Sequence, residues 1–339
     1  MATQQTIARR LRISQATVSR SLRNDPSIRS ETRARVLELA SQLGYVPGPV
    51  VQSATRGAGR EAPATHLGVL VQDDARGSGG ATVVNLLSGM SAAAQQLNVS
   101  LNVHHVAPSD RTALLQADRQ PPAMRGGLIR GLVLLRRFDA AVASALARQM
   151  PCVSLIYDYR PALVDFVSSD EIADVASLVR HLHDLGHRRI ALVGADRSLT
   201  WARQRWLGYI AGLADLGIAY DPALVEQIDS DTAEATRACV ERLLDRGPTA
   251  IVAAGDALGY RCVRLLREMG RTDGPLVVGY DGIEPPEGMS QITTIRVNFR
   301  EMGAAAIRLL LERISSSLLP ARAVHIGGQL IVGTSPRPT

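Results

Sequence analysis

The sequence predicts a small all-α domain at the N-terminus and, after it, an α/β body that contains two parallel sheets. Three short helical segments occupy roughly the first forty-five residues. From His66 onward, short apolar runs alternate with longer helical segments, which is the pattern of parallel strands covered by helices on both faces. A chain of 339 residues, of which 46% are hydrophobic, is long enough for more than one domain and is not expected to be disordered.

The N-terminal domain is predicted to be a helix, a turn and a second helix, followed by a third helix. The segment 3–22 reads TQQTIARRLRISQATVSRSL, in which Ser14 is a favourable cap for the second helix. A third helix fits residues 31–43, because Ser30 precedes it as a cap and Gly44 follows it as a stop. We expect apolar residues of all three helices to form a small core, namely Ile7, Val18, Leu22, Val36 and Leu43.

Most of the positive charge lies in this N-terminal part of the chain. Residues 1–60 contain ten Arg and three acidic residues, a net charge of +7, whereas the whole chain carries +6. A basic arm on a nearly neutral body is the electrostatic footprint of a protein that binds nucleic acid. The first residues of the second helix are then expected to meet base edges in the major groove, as in helix-turn-helix domains.

The second helix carries side chains suited to bases and to phosphates. Gln15 can form two hydrogen bonds with adenine, and the methyl group of Ala16 can pack on a thymine methyl. Arg20, about one turn later, can reach guanine or a phosphate. Three hydroxyl side chains can bond phosphates, which position a protein on DNA without reading its sequence: Ser14, Thr17 and Ser19.

The body is predicted to contain at least seven strands with helices between them. The apolar runs that predict strands are residues 67–71, 101–106, 132–135, 153–156, 190–193, 250–253 and 276–278. Helices fit residues 175–185, 203–216, 233–245 and 258–269, and a glycine stands just after each of these helices. This content is sufficient for two parallel sheets side by side.

Carboxylates cluster just past the carboxyl ends of the predicted strands. They are Asp73, Asp74, Asp158, Asp196, Asp256 and Asp281. In open α/β sheets this edge is where ligands bind. An Asp at such a position is also a common cap of the following helix, so each one alone has a purely structural explanation.

Several classes of protein are not expected. No run approaches the roughly 18–20 apolar residues that span a bilayer, and the N-terminus has no apolar region typical of a signal peptide. Cys152, Cys239 and Cys262 are odd in number and widely spaced, which fits a reducing cytoplasm. The sequence shows no nucleophile–base pair, metal cluster or dinucleotide fingerprint, so we predict no enzyme, no metal and no cofactor. A solute-binding protein without DNA function remains an alternative, although the basic N-terminal domain disfavours it.

Several segments, in order along the chain, carry a resemblance to a known family. They are ISQATVSR at 13–20, SETRARV at 30–36, LGYVP at 43–47, HL at 181–182 with GHRRIA at 186–191, Arg205 with GY at 208–209, VGYD at 278–281, and residues 330–335. With them, the chain resembles the lactose-repressor/galactose-repressor (LacI/GalR) family of bacterial transcription regulators over essentially its full length.

The resemblance implies a helix-turn-helix headpiece, a hinge, and a body similar to periplasmic sugar-binding proteins, whose two lobes close on a small molecule. Residues 1–46 would be the DNA-binding domain, residues 47–63 the hinge helix and linker, and residues 64–339 the effector-binding and dimerisation domain. It also implies a homodimer that binds a palindromic operator in the cytoplasm, acting as a repressor under the control of a sugar or sugar derivative.

The resemblance also assigns residues to the two sites. Arg205 matches the family arginine that holds sugar hydroxyls, and Asp281 matches the family acidic ligand residue. With the strand-end carboxylates and one aromatic residue, the predicted effector-binding set is Asp73, Asp158, Trp201, Arg205, Asp256 and Asp281. In the hinge, Val50 and Ala54 are predicted to face DNA, with Ala54 where the family has a leucine wedge that inserts into the minor groove.

The chain departs from the family pattern at other positions. Arg12 stands where the family has a turn glycine, which is strained if the position needs a positive φ. Gly255 replaces an asparagine, and the run ARGSGGA at 75–81 replaces a motif with aromatic residues. Tyr157, Tyr159 or Trp201 could supply the missing stacking surface. These departures leave open a non-sugar ligand or a protein corepressor as the controlling partner.

Overall fold

The computed structural model describes residues 4–22, 28, 30–43, 65–73, 80–107, 110, 112–194, 197–228, 232–271, 273–316 and 319–334. Within these ranges the chain forms an all-α headpiece and a body of two α/β lobes, which confirms the predicted fold class. None of the helices in these ranges is long and apolar enough to cross a membrane.

The headpiece contains α1 (Gln4–Leu11), α2 (Gln15–Leu22) and α3 (Ser30–Gln42). Its core is formed by the buried side chains of Ile7, Ala8, Val18, Val36 and Ala40. Two further residues of the predicted core, Leu22 and Leu43, are partly buried and pack against it.

The first lobe is built on a six-stranded parallel sheet. Its strands are β1 (Thr65–Gln72), β2 (Val99–Val106), β3 (Ile129–Leu135), β4 (Cys152–Leu155), β5 (Val164–Ser169) and β11 (Ala323–Ile326). They lie in the order β11-β5-β4-β3-β1-β2, and every neighbouring pair is parallel. The helices of this lobe are α4 (Gly80–Gln96), α5 (Pro122–Arg125), α6 (Ala140–Gln149) and α11 (Phe299–Ser315).

The second lobe repeats this architecture with another six-stranded sheet. Its strands are β6 (Ile190–Val193), β7 (Val225–Glu226), β8 (Ala250–Ala253), β9 (Leu276–Asp281), β10 (Thr293–Arg296) and β12 (Gln329–Ile331). The order is β12-β10-β9-β8-β6-β7, with β12 antiparallel to β10 and the other pairs parallel. Its helices are α7 (Glu171–Asp184), α8 (Thr200–Asp215), α9 (Ala233–Leu244) and α10 (Asp256–Glu268).

The described chain passes between the lobes three times. The first crossover joins β5 to α7, the second joins β10 to α11, and the third joins β11 to β12. Helix α11 returns to the first lobe, where it packs against α4 and lies on strands β3, β4 and β5. This connectivity brings the carboxyl ends of the parallel strands of both sheets to the space between the lobes.

All seven predicted strands are present, and so are the four predicted helices of the body. The glycines predicted to follow those helices have positive φ angles of 64° to 97°, as expected of helix stops: Gly186, Gly217, Gly247 and Gly270. The structure adds five strands that were not predicted, namely β5, β7, β10, β11 and β12.

Candidate functional site

A cavity of about 730 Å³ lies between the lobes, at the carboxyl ends of both sheets. The first lobe contributes residues that follow β1, β3 and β4, and the second contributes α8 and the ends of β8 and β9. Its polar and aromatic lining includes Asp73, Arg136, Arg137, Asp139, Tyr157, Ser169, Glu171, Ser198, Trp201, Arg205, Asp281 and Phe299. This is the ligand position expected from the parallel-sheet architecture.

Arg205 is the central polar group on the second-lobe side of the cavity. Its side chain is only 9% exposed. One terminal nitrogen donates to Asp281 Oδ1 at 3.0 Å, and the other donates to the carbonyl of Ala254. The guanidinium lies between two aromatic rings, 4.7 Å from the centroid of Trp201 and 3.8 Å from that of Tyr280. Arg205 is therefore fixed by two hydrogen bonds and two cation–π contacts within the protein.

Asp281 completes a charged pair at the end of β9. Burial raises the pKa of its carboxyl group more than the neighbouring Arg205 lowers it. Its backbone has a φ of 115°, and two further cavity residues, Arg136 and Ile156, also have positive φ angles of 72° and 73°. Non-glycine residues in this conformation are strained and are concentrated at functional sites. Here they mark the strand ends that shape the cavity wall.

Glu171 is a cavity residue that the sequence analysis did not identify. It is the first residue of α7, directly after the first crossover, and its side chain is buried. Its Oε2 accepts a hydrogen bond from the Ser168 hydroxyl at 2.8 Å. Burial raises the pKa of this carboxyl group, while Arg205 opposes the increase. Candidate carboxylates were chosen from residues that follow predicted strands. Asp170 and Glu171 were not chosen, because the strand before them, β5, was not predicted.

Three aromatic side chains line the cavity: Tyr157, Trp201 and Phe299. Two of them were considered in the sequence analysis as a stacking surface, whereas Phe299, at the start of α11, was not. Tyr159 does not line it, because its hydroxyl is buried against the backbone of Phe138, accepting from the amide at 2.7 Å. The aromatic surface thus comes from both lobes.

Two of the predicted effector carboxylates do not line the cavity. Asp158 turns back to Arg160, whose Nε and backbone N donate to it at 2.8 and 2.9 Å. Asp256 is fully buried beneath the end of β9, where it accepts hydrogen bonds from Gly282, Ile283 and Thr294. In both cases, backbone and side-chain donors of the protein itself satisfy the carboxylate.

Of the remaining strand-end carboxylates, Asp73 lines the cavity and is bonded to His105 Nδ1 at 2.9 Å. Asp74 and Asp196 lie outside the described residues. The cavity therefore brings together four of the six predicted effector residues, namely Asp73, Trp201, Arg205 and Asp281.

The headpiece presents the second candidate site. The Ser14 hydroxyl accepts from the backbone N of Thr17 at 3.0 Å and so caps α2 as predicted. On this helix the side chains of Gln15, Ala16 and Arg20 are exposed, while Thr17 and Ser19 are half-buried. Val18 faces the core. The exposed face of α2 is thus the face that carries the predicted base-reading residues.

The turn before α2 contains the predicted strain. Arg12 has a φ of 54°, which is the left-handed conformation that favours glycine. The backbone N of Ile13 nevertheless donates to the carbonyl of Ala8 at 3.1 Å, so α1 ends in an ordinary capped turn. The helix-turn-helix geometry tolerates the arginine. The hinge residues Val50 and Ala54 lie outside the described residues.

Comparison with known proteins identifies the family. Residues 3–48 match bacterial regulatory proteins of the lacI family, and residues 179–336 match a periplasmic binding protein-like domain. A HTH-type transcriptional regulator in the aml 5′ region of Streptomyces limosus is 32% identical to this chain, over 96% of this chain and 92% of its own length.

Solved structures of similar proteins share the fold. The structure of the transcriptional regulator CelR in complex with cellobiose is 23% identical, with a TM-score of 0.68 over 99% of this chain and 100% of that one. The lac repressor dimer bound to operator and the anti-inducer ONPF is 23% identical, with a TM-score of 0.65 over 98% of each chain. The chain therefore belongs to the lacI family of bacterial regulatory proteins, and is a DNA-binding transcription regulator rather than an enzyme.

Proposed function

We propose that this protein represses transcription by binding a palindromic operator as a homodimer, and that a sugar or sugar derivative in the interlobe cavity controls that binding. The observation that carries the proposal is the Arg205–Asp281 pair, held at the cavity wall between two aromatic rings. A guanidinium offers donors and a carboxylate offers acceptors at neighbouring points. Adjacent hydroxyls of a carbohydrate match this alternation of donors and acceptors.

Aromatic and acidic groups elsewhere in the cavity support the same ligand class. The C–H face of a sugar ring is apolar, and Tyr157, Trp201 and Phe299 provide apolar ring surface on both lobes. Asp73 and Glu171 add acceptors for further hydroxyl donors. The solved relative CelR was crystallised with cellobiose, which is consistent with a carbohydrate in this chain.

On the DNA side, we assign residues 1–46 to operator binding, residues 47–63 to the hinge, and residues 64–339 to effector binding and dimerisation. The exposed side chains of Gln15, Ala16 and Arg20 on α2 would meet base edges and phosphates. The hydroxyls of Ser14, Thr17 and Ser19 would add phosphate contacts. In the cytoplasm, the occupied and empty states of the cavity would differ in how they place the two headpieces.

The effector is tested by thermal unfolding of the full chain with a panel that includes cellobiose, maltose, ribose and glucose. A sugar that binds only the folded state raises the Tm. We expect Arg205→Ala and Asp281→Ala to abolish that rise. Asp158→Ala is the matched control, because Asp158 follows a strand but lies outside the cavity. If no sugar of the panel raises the Tm, the proposal that a sugar is the effector is contradicted. The search would then turn to non-sugar ligands or a protein corepressor.

The operator is tested by selection from random DNA with the full chain. We expect a two-fold-symmetric motif, because a homodimer places two headpieces on related half-sites. The sugar found in the thermal screen should then weaken binding to that motif. Selection of a motif without two-fold symmetry would contradict the homodimer on a palindrome, whereas tighter binding in the presence of the sugar would make it a corepressor.

A further inference from the structure

Tyr280 links the cavity to a buried carboxylate in the second lobe. The side chain is fully buried on β9, one residue before Asp281. One face of its ring lies 3.8 Å from the guanidinium carbon of Arg205. Its hydroxyl donates to Asp174 Oδ2 at 2.7 Å. A single residue therefore contacts the central arginine of the cavity and, at its other end, helix α7.

Asp174 continues this chain of contacts to the third crossover between the lobes. Its Oδ1 and Oδ2 accept from the backbone N of Gly328 at 2.9 and 3.1 Å. Gly328 lies between β11 of the first lobe and β12 of the second. A Cβ added at Gly328 would lie 2.2 Å from the Ile295 side chain and 2.9 Å from Asp174 Oδ2, so the crossover is closely packed here.

The first crossover is tied to the same place. The backbone N of Asp170, between β5 and α7, donates to the carbonyl of Ile326 at 3.2 Å. Asp174 stands one turn further along α7, and its backbone N donates to the carbonyl of Asp170 at 2.9 Å. A displacement of Asp174 would therefore reach two of the three segments that join the lobes.

We propose that Tyr280 and Asp174 are positioning residues that transmit the state of Arg205 to the crossover at Gly328. A ligand that pulls on the guanidinium shifts the ring beneath it, and the hydroxyl moves the carboxylate that holds the crossover backbone. The role of this path in regulation rests on the proposed function. The coupling between Arg205 and Gly328, which we call the link, does not. The link is measurable in the ligand-free protein, by amide hydrogen exchange at Gly328.

A second buried tyrosine separates this role from a merely structural one. Tyr209 on α8 is also fully buried in the second lobe, and its hydroxyl donates to the carbonyl of Ile190 at 2.8 Å. Tyr209→Phe and Tyr280→Phe each remove one buried hydroxyl and leave the ring. They should destabilise the lobe similarly, whereas only Tyr280→Phe removes the proposed link.

The experiment compares amide exchange in full-length protein labelled with 15N-glycine. Gly328 reports on the link, and Gly333 is the reference amide, because its N donates to Thr293 Oγ1 in the same lobe at 3.0 Å. The cavity is perturbed by Arg205→Gln or, if that variant does not fold, by Trp201→Leu on the outer face of the guanidinium. The perturbation is made in three backgrounds: wild type, Tyr280→Phe and Tyr209→Phe.

We expect the cavity substitution to accelerate exchange at Gly328 in wild type and in Tyr209→Phe, by about 2- to 30-fold if the coupling has the size usual for such networks. In Tyr280→Phe the same substitution should leave Gly328 unchanged, as a double-mutant cycle requires for a path through the hydroxyl. Gly333 should not respond in any background. An undiminished response of Gly328 in Tyr280→Phe, or no response in wild type, would overturn the link.

The regulatory consequence is measured separately, as the ratio of operator affinities without and with the sugar identified in the thermal screen. Tyr280→Phe should reduce that ratio towards one, while Tyr209→Phe keeps it. A ratio unchanged in Tyr280→Phe would contradict the regulatory role. If the wild-type protein responds to no sugar, the proposed effector fails, yet the exchange experiment still decides whether the link exists.

Discussion

Asp256 supports the wall of the interlobe cavity from beneath without lining it. Its Oδ2 accepts from the backbone N of Gly282 at 2.7 Å and of Ile283 at 2.9 Å, and its Oδ1 accepts from the Thr294 hydroxyl at 2.7 Å. These bonds fix the two residues that follow Asp281, whose φ of 115° needs such a constraint to persist. A carboxylate that was predicted to bind an effector is therefore a structural support for Asp281, which lines the cavity.

The pH dependence of stability should report on Asp256. Burial raises the pKa of this carboxyl group from 3.8 to about 7 in the folded protein. The folded state then binds more protons than the unfolded state between these values, so stability is lost as pH rises through this window. We expect Asp256→Asn, which keeps an acceptor for both amides, to lose less stability than wild type between about pH 4 and 7.

The measurement is the urea midpoint of the full chain at several pH values. The difference between wild type and Asp256→Asn isolates this group from the other buried carboxylates. Asp118→Asn, at an exposed aspartate, is the control and should follow wild type at every pH. If wild type and Asp256→Asn run parallel across the window, the carboxyl group of Asp256 does not titrate within it.

At the scale of single residues, the sequence gives a residue type and its strand-end position but not the partners of its side chain. Arg205 and Asp281 were assigned by family resemblance, and the structure brings them within 3.0 Å of each other. Asp158 and Asp256 share the strand-end position of Asp281, but nearby donors decide their orientation. For Asp256 the sequence does not reveal those donors, because Thr294 is distant along the chain. The donor to Asp158, by contrast, is Arg160, two residues away.

Among the elements, helix pairs approach unusually closely at glycines. In the pair α7 and α8, a Cβ added at Gly208 would lie 2.6 Å from the carbonyl oxygen of Ile172. In the pair α4 and α11, Cβ atoms at Gly89 and Gly303 would overlap the backbone of the opposite helix. Because backbone rather than flexible side chain is the obstacle, only movement of a whole helix could make room.

Gly208→Ala should therefore have two effects: it should destabilise the second lobe, and it should shift the Arg205 side chain at the cavity wall. Overpacking of this kind costs about 1–3 kcal/mol. Gly208 lies three residues after Arg205 on α8, so a displaced helix also moves the guanidinium. We expect a lower Tm, and a smaller Tm response to any sugar that raises the Tm of wild type in the thermal screen.

The matched control for this substitution is Gly80→Ala. Gly80 begins α4, and an added Cβ meets nothing within 4 Å. Removing a glycine from a helix without a clash should be neutral or stabilising, by up to about 1 kcal/mol. Equal Tm losses in the two variants would show that close packing of α8 against α7 is not the cause.

The strands that the sequence predicts most directly are uninterrupted apolar runs between turn signals. Strands such as β6, IALV, and β8, AIVA, are buried throughout and have that pattern. Strand β5, VDFVSS, is equally buried but contains Asp165 and two serines. Asp165 is tolerated because Arg313 and Arg322, both far along the chain, donate to it. Such tertiary compensation is invisible to local patterns.

For the whole molecule, the net positive charge and the interlobe cavity lie in different parts of the chain. The first 60 residues carry a net charge of +7, and the rest of the chain is close to neutral. The body contains the cavity, and the headpiece presents α2 outward from a core of its own. The resemblance to one family predicted this division from sequence, whereas the three crossovers that unite the lobes became visible only in the fold.

The last prediction concerns how the headpiece reads DNA. If Gln15 contacts a base, Gln15→Ala should weaken binding to the selected operator by about 1–3 kcal/mol and relax preference at one base pair of each half-site. The slope of log affinity against log salt should stay the same, because that slope counts the phosphates that cationic side chains neutralise and glutamine carries no charge. Gln5→Ala, at an exposed glutamine of α1, makes the same chemical change away from α2 and should leave base preference intact. Operator titrations at two salt concentrations measure both quantities. Weaker binding with unchanged base preference would show that Gln15 contacts the backbone, and that another exposed residue of α2 reads the sequence.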